Sequence, residues 1–273
     1  MKKTIYKAYY YLSKIYFSNN IKPKSRILIF HNYDESNIAN FENNIETLKS
    51  QGYTFITAFE FAEKYFENSL HHQKYCALTF DDGFISFSTL IYPILQKHNV
   101  TATVFINQKL HEFAEKNLNV NSFVQEKFPR VSTNYSNLKG LSKSQIELLI
   151  QGNVEIGGHT YSHPNLGEIP KNELHSEIND QIQYFKKNFD YQLKVFAYPY
   201  GRKRNFSNDV IEVLKTSDYK YSFTGISKNV ESRVEVLTHG FPRTSINENC
   251  VGKAFIARLS GASDLYDRIL KQY

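Results

Sequence analysis

The sequence predicts an α/β protein in which parallel strands are covered by outer helices, and three observations lead to that prediction. Short apolar runs alternate along the chain with segments of helical periodicity, which is the pattern of a parallel sheet. The chain has 273 residues, of which 41% are hydrophobic, enough for a substantial core. No linker rich in proline, serine or glycine divides it, so we expect one large domain.

The elements follow in order from these patterns. Strands are expected where short apolar runs occur, at Arg26–Phe30, Thr54–Thr57, Cys76–Phe80, Thr101–Ile106, Val154–Ile156, Leu193–Tyr198 and Lys220–Thr224. Helices are expected where apolar residues recur at helical spacing, at Ile38–Gln51, Ile85–Lys97, Ser142–Gln151, Lys171–Phe189 and Asn208–Thr216. Asn107–Lys139 has weak periodicity of either kind and is interpreted as an inserted or mobile segment.

Two adjacent carboxylates, Asp81 and Asp82, follow the strand Cys76–Phe80 and precede Gly83. An isolated pair of this kind is usually a turn or a helix cap. Neighbouring side chains on an extended backbone point in opposite directions, but a turn at the glycine lets Asp82 face a metal while Asp81 reaches a water molecule. The pair can therefore divide into a metal ligand and a general base.

Two histidines, His159 and His163, lie four residues apart. That spacing suits one face of a helix, but Gly157-Gly158 and Pro164 favour a loop that leaves the strand Val154–Ile156. Such a pair alone is more often a pair of surface or hydrogen-bonded histidines. Together with the two aspartates it predicts a metal-dependent hydrolase, because an ion held by three protein groups keeps a position at which water becomes a nucleophile.

The chain resembles the polysaccharide deacetylase family, the group with a NodB homology domain. Thr79–Phe84 and His159–Pro164 resemble the first two motifs of that family. Further similarity lies in Ile91–Ile106, in Leu141–Gly158 before the histidine motif, and in Phe196–Gly201, which resembles the third motif. The resemblance runs from about Arg26 to about Ile246.

The resemblance implies an irregular (β/α) barrel with the motif residues at the carboxyl ends of its strands. It implies that Asp81 is the general base, that Asp82, His159 and His163 hold the metal, and that the backbone N–H of Tyr200 stabilises the oxyanion. The implied reaction is hydrolytic removal of an acetyl group, most simply N-linked, from a sugar or polysaccharide. Zinc is the default metal for such ligands, with cobalt, nickel, manganese and iron as alternatives.

Ala197 stands where many family members carry an arginine that orients the base. Arg243 is a candidate to replace that cation in space, the alternative being a surface arginine near the end of the domain. Arg202 is a poorer candidate, because it belongs to the basic run Arg202–Arg204, which is typical of a solvated or anion-attracting loop.

The acid that protonates the leaving amine has two candidates. Many relatives place a histidine after a late strand, and His239 offers that position, although the residues that follow it differ from the usual pattern. Members with an alanine in the third motif carry instead a histidine at the end of the first strand, here His31. Because catalytic groups collect at one rim of a barrel, where strands end, we favour His31.

Charge and terminal patterns limit the partners. The formal charge of +6 favours anionic partners, yet no basic stripe with interleaved aromatics indicates nucleic-acid binding. Residues 1–25 are aromatic and basic, without a clear cleavage site, and are interpreted as a helix that packs on the domain or lies on a membrane surface; residues 26–273 are the expected catalytic domain. A cytoplasmic or membrane-peripheral location is expected, and no pattern predicts an oligomeric state.

Two other functions remain open at this point. One is a non-catalytic glycan-binding protein that keeps the metal for structure, since the third motif lacks its arginine and the acid is not fixed. The other is a mononuclear iron oxygenase, because two histidines and a carboxylate also describe that metal site. The adjacent aspartate base and the α/β pattern argue against the oxygenase.

Overall fold

The computed structural model describes residues 25–70, 73–129, 138–228, 230 and 238–261. The strands are β1 Arg26–Phe30, β2 Thr54–Ile56, β3 Tyr75–Phe80, β4 Thr103–Ile106, β5 Glu155–Gly158, β6 Val195–Ala197, β7 Tyr221–Phe223 and β8 Thr244–Ser245. The α-helices are α1 Ile38–Ser50, α2 Ala58–Phe66, α3 Tyr92–His98, α4 Gln108–Glu115, α5 Asn121–Lys127, α6 Lys143–Gln151, α7 Lys171–Phe189, α8 Asn208–Lys215 and α9 Lys253–Ser260. The predicted N-terminal helix lies outside the described residues.

The strands form one parallel sheet in the order β7-β6-β5-β4-β3-β1-β8, with β2 paired to β3. The two edges are brought together by the segment that contains β8. Phe241 bridges to Phe223 in β7, and Thr244 and Ser245 pair with Leu28 and Ile29 in β1. The sheet is therefore a curled, irregular (β/α) barrel, and the predicted fold class is confirmed.

The strands β1, β4, β6 and β7 are buried on both faces, as expected for a parallel sheet covered by helices. In β3, Leu78 and Phe80 face outward and belong to the large cluster that includes residues of α1, α6 and α7. Ala77 faces inward and belongs to a second cluster with Phe105 and Phe223. Since side chains alternate along a strand, Thr79 and Asp81 continue the inner face towards the carboxyl end of the barrel.

Local signals explain several helix starts. Thr57 and Ser142 begin α2 and α6 with capping boxes, in which the hydroxyl accepts from the third helical residue and that residue's side chain accepts in return. Pro93 stands in the first turn of α3, where its missing N–H costs nothing. The helix predicted over Ile85–Lys97 is divided, because a π-helical turn at Phe87–Ile91 precedes α3.

Asn107–Lys139, interpreted from its weak periodicity as an inserted or mobile segment, has regular structure in its described part. The segment contains α4 and α5, whose apolar residues build a small core with Phe84 and Phe128. Its helical periodicity is weak because both helices are short, of eight and seven residues. Strand β8 was also missed, since two residues give no alternation to detect.

Candidate active site

The Asp81-Asp82-Gly83 turn lies at the carboxyl end of β3, where the inner face of the barrel opens. The backbone reverses at two residues, because Asp82 has φ 78° and Gly83 has φ 79°. A Cβ on Gly83 would lie 3.3 Å from Ile106, so this close approach also favours glycine. The predicted turn therefore begins at Asp82 itself, and it sends Asp81 and Asp82 to different partners.

The histidine loop leaves β5 as predicted, and it is not helical. Thr160 and His163 have φ 65° and 57°, in the left-handed region, which no helix contains. The Asn107 side chain donates to the carbonyl oxygens of His159 and Thr160, at 3.4 and 3.2 Å. The loop thus brings two histidines four residues apart onto one site without helical geometry.

Asp82, His159 and His163 form a compact, buried set of donor atoms. Asp82 Oδ1 lies 3.4 Å from Nε2 of each histidine. Ligands about 2.0–2.1 Å from a tetrahedral zinc ion lie about 3.3–3.4 Å apart, so these residues fit a metal. His159 donates from Nδ1 to the Ala197 carbonyl oxygen at 2.7 Å, which leaves the Nε2 lone pair for an ion.

Burial disfavours the charged form of Asp82, yet the two neighbouring imidazoles hold the pKa of this carboxyl well below its ordinary value. Asp82 is therefore ionised and acceptor-only at neutral pH. A buried carboxylate beside two imidazoles is the donor chemistry that suits a divalent ion.

Asp81 pairs with Arg243 in the barrel interior. Arg243 donates from Nη1 to Oδ1 at 2.7 Å and from Nη2 to Oδ2 at 2.9 Å. Its side chain is 1% exposed, so the alternative of a surface arginine is wrong. Burial acts to raise the pKa of Asp81, but Arg243, followed by His159, holds it below its ordinary value.

Two further hydrogen bonds and an aromatic ring hold the guanidinium of Arg243 in place. Nη1 also donates to Thr79 Oγ1 at 3.0 Å, and Nε donates to the Thr224 carbonyl oxygen at 3.0 Å. The guanidinium lies 5.1 Å from the centroid of the Phe105 ring. Position 197 is an alanine and offers no cation, and the cation beside Asp81 comes instead from Arg243, in the segment that closes the barrel.

Tyr200 lies in the turn after β6, with φ 59° and a half-exposed side chain. Its ring contacts the His163 ring edge-on at a centroid distance of 4.8 Å. The Tyr200 ring therefore lies beside a candidate metal ligand, and the Tyr200 backbone N–H has no hydrogen-bond partner among the described residues.

The two candidate acids lie in different surroundings. His31 directly follows β1, whose Ile27 belongs to the inner cluster, and its side chain is exposed. His239 is 6% exposed, and its Nδ1 lies 3.0 Å from Ser222 Oγ. Ser222 points opposite to the inward-facing Phe223, so His239 is outside the barrel interior.

The residues that form the candidate site lie largely within a stretch that matches a known protein family. The sequence profile of the polysaccharide deacetylase family matches residues 69–222, more than half of the chain. The chain belongs to the polysaccharide deacetylase family. The matched part contains the aspartate turn, the histidine loop and the turn at Tyr200, so three of the regions that form the candidate site carry the family signal.

Individual relatives agree with this membership. The chain is 29% identical to a poly-beta-1,6-N-acetyl-D-glucosamine N-deacetylase of Staphylococcus aureus (strain MRSA252), over 80% of this chain and 68% of the relative. Its fold is similar to that of the Streptococcus pyogenes deacetylase PplD solved in complex with acetate, with TM-score 0.69, 21% identity and coverage of 87% and 99% of the two chains. A de-N-acetylase from Aggregatibacter actinomycetemcomitans has the same fold, with TM-score 0.64, 18% identity and coverage of 86% and 99%.

The sequence predicted helix α7 at Lys171–Phe189, and the structure confirms its bounds, but its contacts with the site of this family member were missed. Gln181 of α7 is fully buried; its Oε1 accepts from the His159 N–H at 3.1 Å, and its Nε2 donates to the Ile106 carbonyl oxygen at 2.7 Å. Glu177 accepts from the Ser162 N–H at 2.8 Å and from its hydroxyl. The detectable signal was Gln181, a polar residue on the face that buries Ile178 and Ile182.

Proposed function

We propose that this polysaccharide deacetylase is a metal-dependent hydrolase that removes the N-linked acetyl group from N-acetylglucosamine units of a polysaccharide. The observation that carries the proposal is the juxtaposition of a buried Asp82, His159 and His163 donor set with a separate, arginine-paired Asp81. The substrate follows from the Staphylococcus aureus relative, whose name specifies that polymer.

Asp82, His159 and His163 would hold the divalent ion, and zinc is the default for this donor set. When bound, the ion supplies a Lewis acid that lowers the pKa of water and polarises a carbonyl group. The protein's own part is to fix the donors before the ion arrives. The Ala197 carbonyl oxygen fixes the His159 ring, Gln181 fixes the His159 backbone, and all three donor side chains are buried.

Asp81 is assigned the role of general base. Both of its oxygens accept from Arg243, which holds the carboxylate ionised and in one orientation. Each carboxylate oxygen has two acceptor sites, so Asp81 retains a lone pair to take the proton of an attacking water molecule. General-base catalysis contributes about 10²–10⁴-fold to the rate.

Tyr200 and His31 are assigned roles at the two parts of the substrate where charge develops, the carbonyl oxygen and the departing amine. The backbone N–H of Tyr200 donates to the oxyanion of the tetrahedral intermediate, where such donors contribute about 2.7–4 kcal/mol. His31, exposed at the end of β1, donates a proton to the departing amine. The His31 charge is among the causes that lower the pKa of Asp81 and of Asp82, whereas His239 contacts Ser222 on the outward face of β7, which supports His31 over His239.

The alternative of a non-catalytic glycan-binding protein lost its main support. It depended on the arginine absent at position 197 and on the unassigned acid; Arg243 pairs with Asp81 from elsewhere in the chain, and the acid is part of the present proposal. The iron oxygenase alternative has no support from the family profile.

The deciding experiment measures acetate release from N-acetylglucosamine oligomers and from O-acetylated saccharides. Protein stripped with a chelator is compared with protein reloaded with zinc, cobalt or manganese. Release is expected only after reloading and mainly from the N-acetylated oligomers. Asp81→Asn is expected to lower the rate by about 10²–10⁴-fold, while Asp209→Asn, at an exposed ion pair, is the matched control and retains it. Metal-independent release, or none from any saccharide, would contradict the proposal.

A further inference from the structure

The second histidine of the candidate metal centre is held differently from the first. His159 has a carbonyl acceptor for Nδ1, whereas His163 Nδ1 is buried with no hydrogen-bond partner among the described residues. Metal-ligating histidines almost always donate their other ring nitrogen to a carboxylate, a carbonyl or water. No described protein group therefore orients the His163 ring through this nitrogen, which directs attention to the groups that pack against the ring.

Aromatic rings surround His163. The ring of Phe128 lies 4.5 Å from the His163 ring, and that of Tyr200 lies 4.8 Å away on a 74° incline, both measured between centroids. Phe128 also packs edge-on against Phe84 at 5.4 Å. We call Phe84, Phe128, His163 and Tyr200 the aromatic row. It connects the loop after β3, the segment after α5, the histidine loop and the turn after β6.

The backbone at His163 requires such support. With φ 57° it lies in the left-handed region, which is uncommon for residues other than glycine, although asparagine, aspartate and histidine adopt it more often than the rest. Its N–H donates to Thr160 Oγ1 at 3.0 Å, and Thr160 is itself left-handed, with φ 65°. A strained backbone persists only where side-chain contacts over-determine it, and Phe128 makes the shortest centroid contact with this ring.

Phe128 is itself firmly placed. It is 4% exposed and packs with Phe123, at 5.7 Å, in the small core that α4 and α5 build. Phe84 belongs to the same core and stands two residues after Asp82. The small core therefore couples the turn that carries one metal donor to the loop that carries another.

We propose that Phe128 is a positioning residue for the metal centre, whose ring, braced by Phe84, holds the His163 imidazole in the orientation that presents Nε2 beside Asp82. The inference rests on the proposed metal centre and assigns a role to Phe128, in the segment after α5. It predicts that metal affinity requires an aromatic ring at position 128, and that an apolar side chain of similar volume does not replace it.

The test measures zinc affinity by calorimetric titration, together with the visible absorption of the cobalt-loaded protein, so that it does not depend on catalysis. Phe128→Leu is expected to weaken zinc binding about 10–100-fold, the usual effect of losing a group that orients a ligand, and to alter the cobalt bands. Phe128→Met, which fills the space with a flexible apolar chain, is expected to weaken it likewise. Phe128→Tyr retains the ring and is expected to bind nearly as tightly as the wild type.

Phe113→Leu is the matched control. Phe113 packs on Phe123 in the same small core, and no contact with His163 is present among the described residues. Its zinc affinity is expected to equal that of the wild type. Unchanged affinity in Phe128→Leu, or equal weakening in Phe113→Leu, would overturn the role of Phe128. A wild-type protein that binds no divalent ion would instead overturn the metal centre, and this inference with it.

Discussion

The guanidinium of Arg243 donates to both carboxylate oxygens of Asp81, at 2.7 and 2.9 Å, although 162 residues separate the two along the chain. Both side chains are buried, at 1% and 7% exposure. Parallel, charge-assisted hydrogen bonds of this kind fix orientation as well as charge. A site whose third motif has an alanine thus obtains an oriented aspartate from the segment that closes the barrel.

Arg243→Ala is expected to lower the free energy of unfolding by about 3–5 kcal/mol, because it leaves the Asp81 charge buried without its partner. Arg243→Lys keeps a cation but loses the paired geometry, so it is expected to retain more stability and still release acetate more slowly. Urea unfolding and kcat measure the two effects. Arg202→Ala, in the loop after β6, is the control; an Arg243→Ala protein with unchanged stability and rate would refute the coupling.

His31→Ala is expected to slow acetate release far more than His239→Ala. His31 is exposed at the rim, whereas His239 is buried and hydrogen-bonded to Ser222 outside the barrel interior. Steady-state rates of the two variants on one N-acetylglucosamine oligomer give the ranking. The reverse ranking would reject His31 as the acid.

His239 is expected to make the protein less stable in mild acid. Burial, and then the Lys215 charge, lowers the pKa of His239 to about 4 in the folded state. Because the unfolded chain binds the proton at higher pH, the stabilisation is complete above about pH 6.5 and is lost as the pH falls towards 4, by about 2–3 kcal/mol. Urea unfolding at several pH values checks this. His239→Gln should flatten the dependence in this range, and the same change at the exposed His175 should not.

Glu155 is expected to act in the opposite direction. Its carboxyl accepts from Thr103 Oγ1 at 2.6 Å and from the Phe59 N–H at 3.2 Å, and burial raises its pKa to about 7. The folded state therefore binds a proton that the unfolded chain releases near its ordinary pKa of 4.5. Its stabilisation is present below about pH 4.5 and is lost as the pH rises through 7, by about 1–3 kcal/mol.

Glu155→Gln keeps the neutral, hydrogen-bonding shape of the protonated carboxyl, so it is expected to remove this loss between pH 4.5 and 7. Thermal unfolding of the variant and the wild type across that range is the measurement. Glu147→Gln, on the exposed side of α6, is the matched control. A variant that loses stability with rising pH as steeply as the wild type would show that Glu155 does not carry the effect.

No helix among the described residues is long and apolar enough to cross a membrane.

The residues of the candidate site could be predicted from the sequence mainly where their chemical and backbone signals are local in the chain. Gly83 marks the turn that separates Asp81 from Asp82, and Pro164 and Gly157-Gly158 mark the histidine loop. The sequence left two alternatives for Arg243, a partner of Asp81 or a surface arginine. Nothing near Arg243 in the chain indicates which strand its side chain will contact.

The sequence alone determined the α/β class, the places of the aspartate turn and the histidine loop, and the family. Alternating apolar runs, glycines and short motifs are local in the chain, so they can be detected without a fold. Tertiary structure decided that Arg243 reaches Asp81, that His239 faces away from the interior, and that Phe128 packs on His163. These contacts join distant segments, and which of them form depends on how the curled sheet closes and which face each side chain occupies.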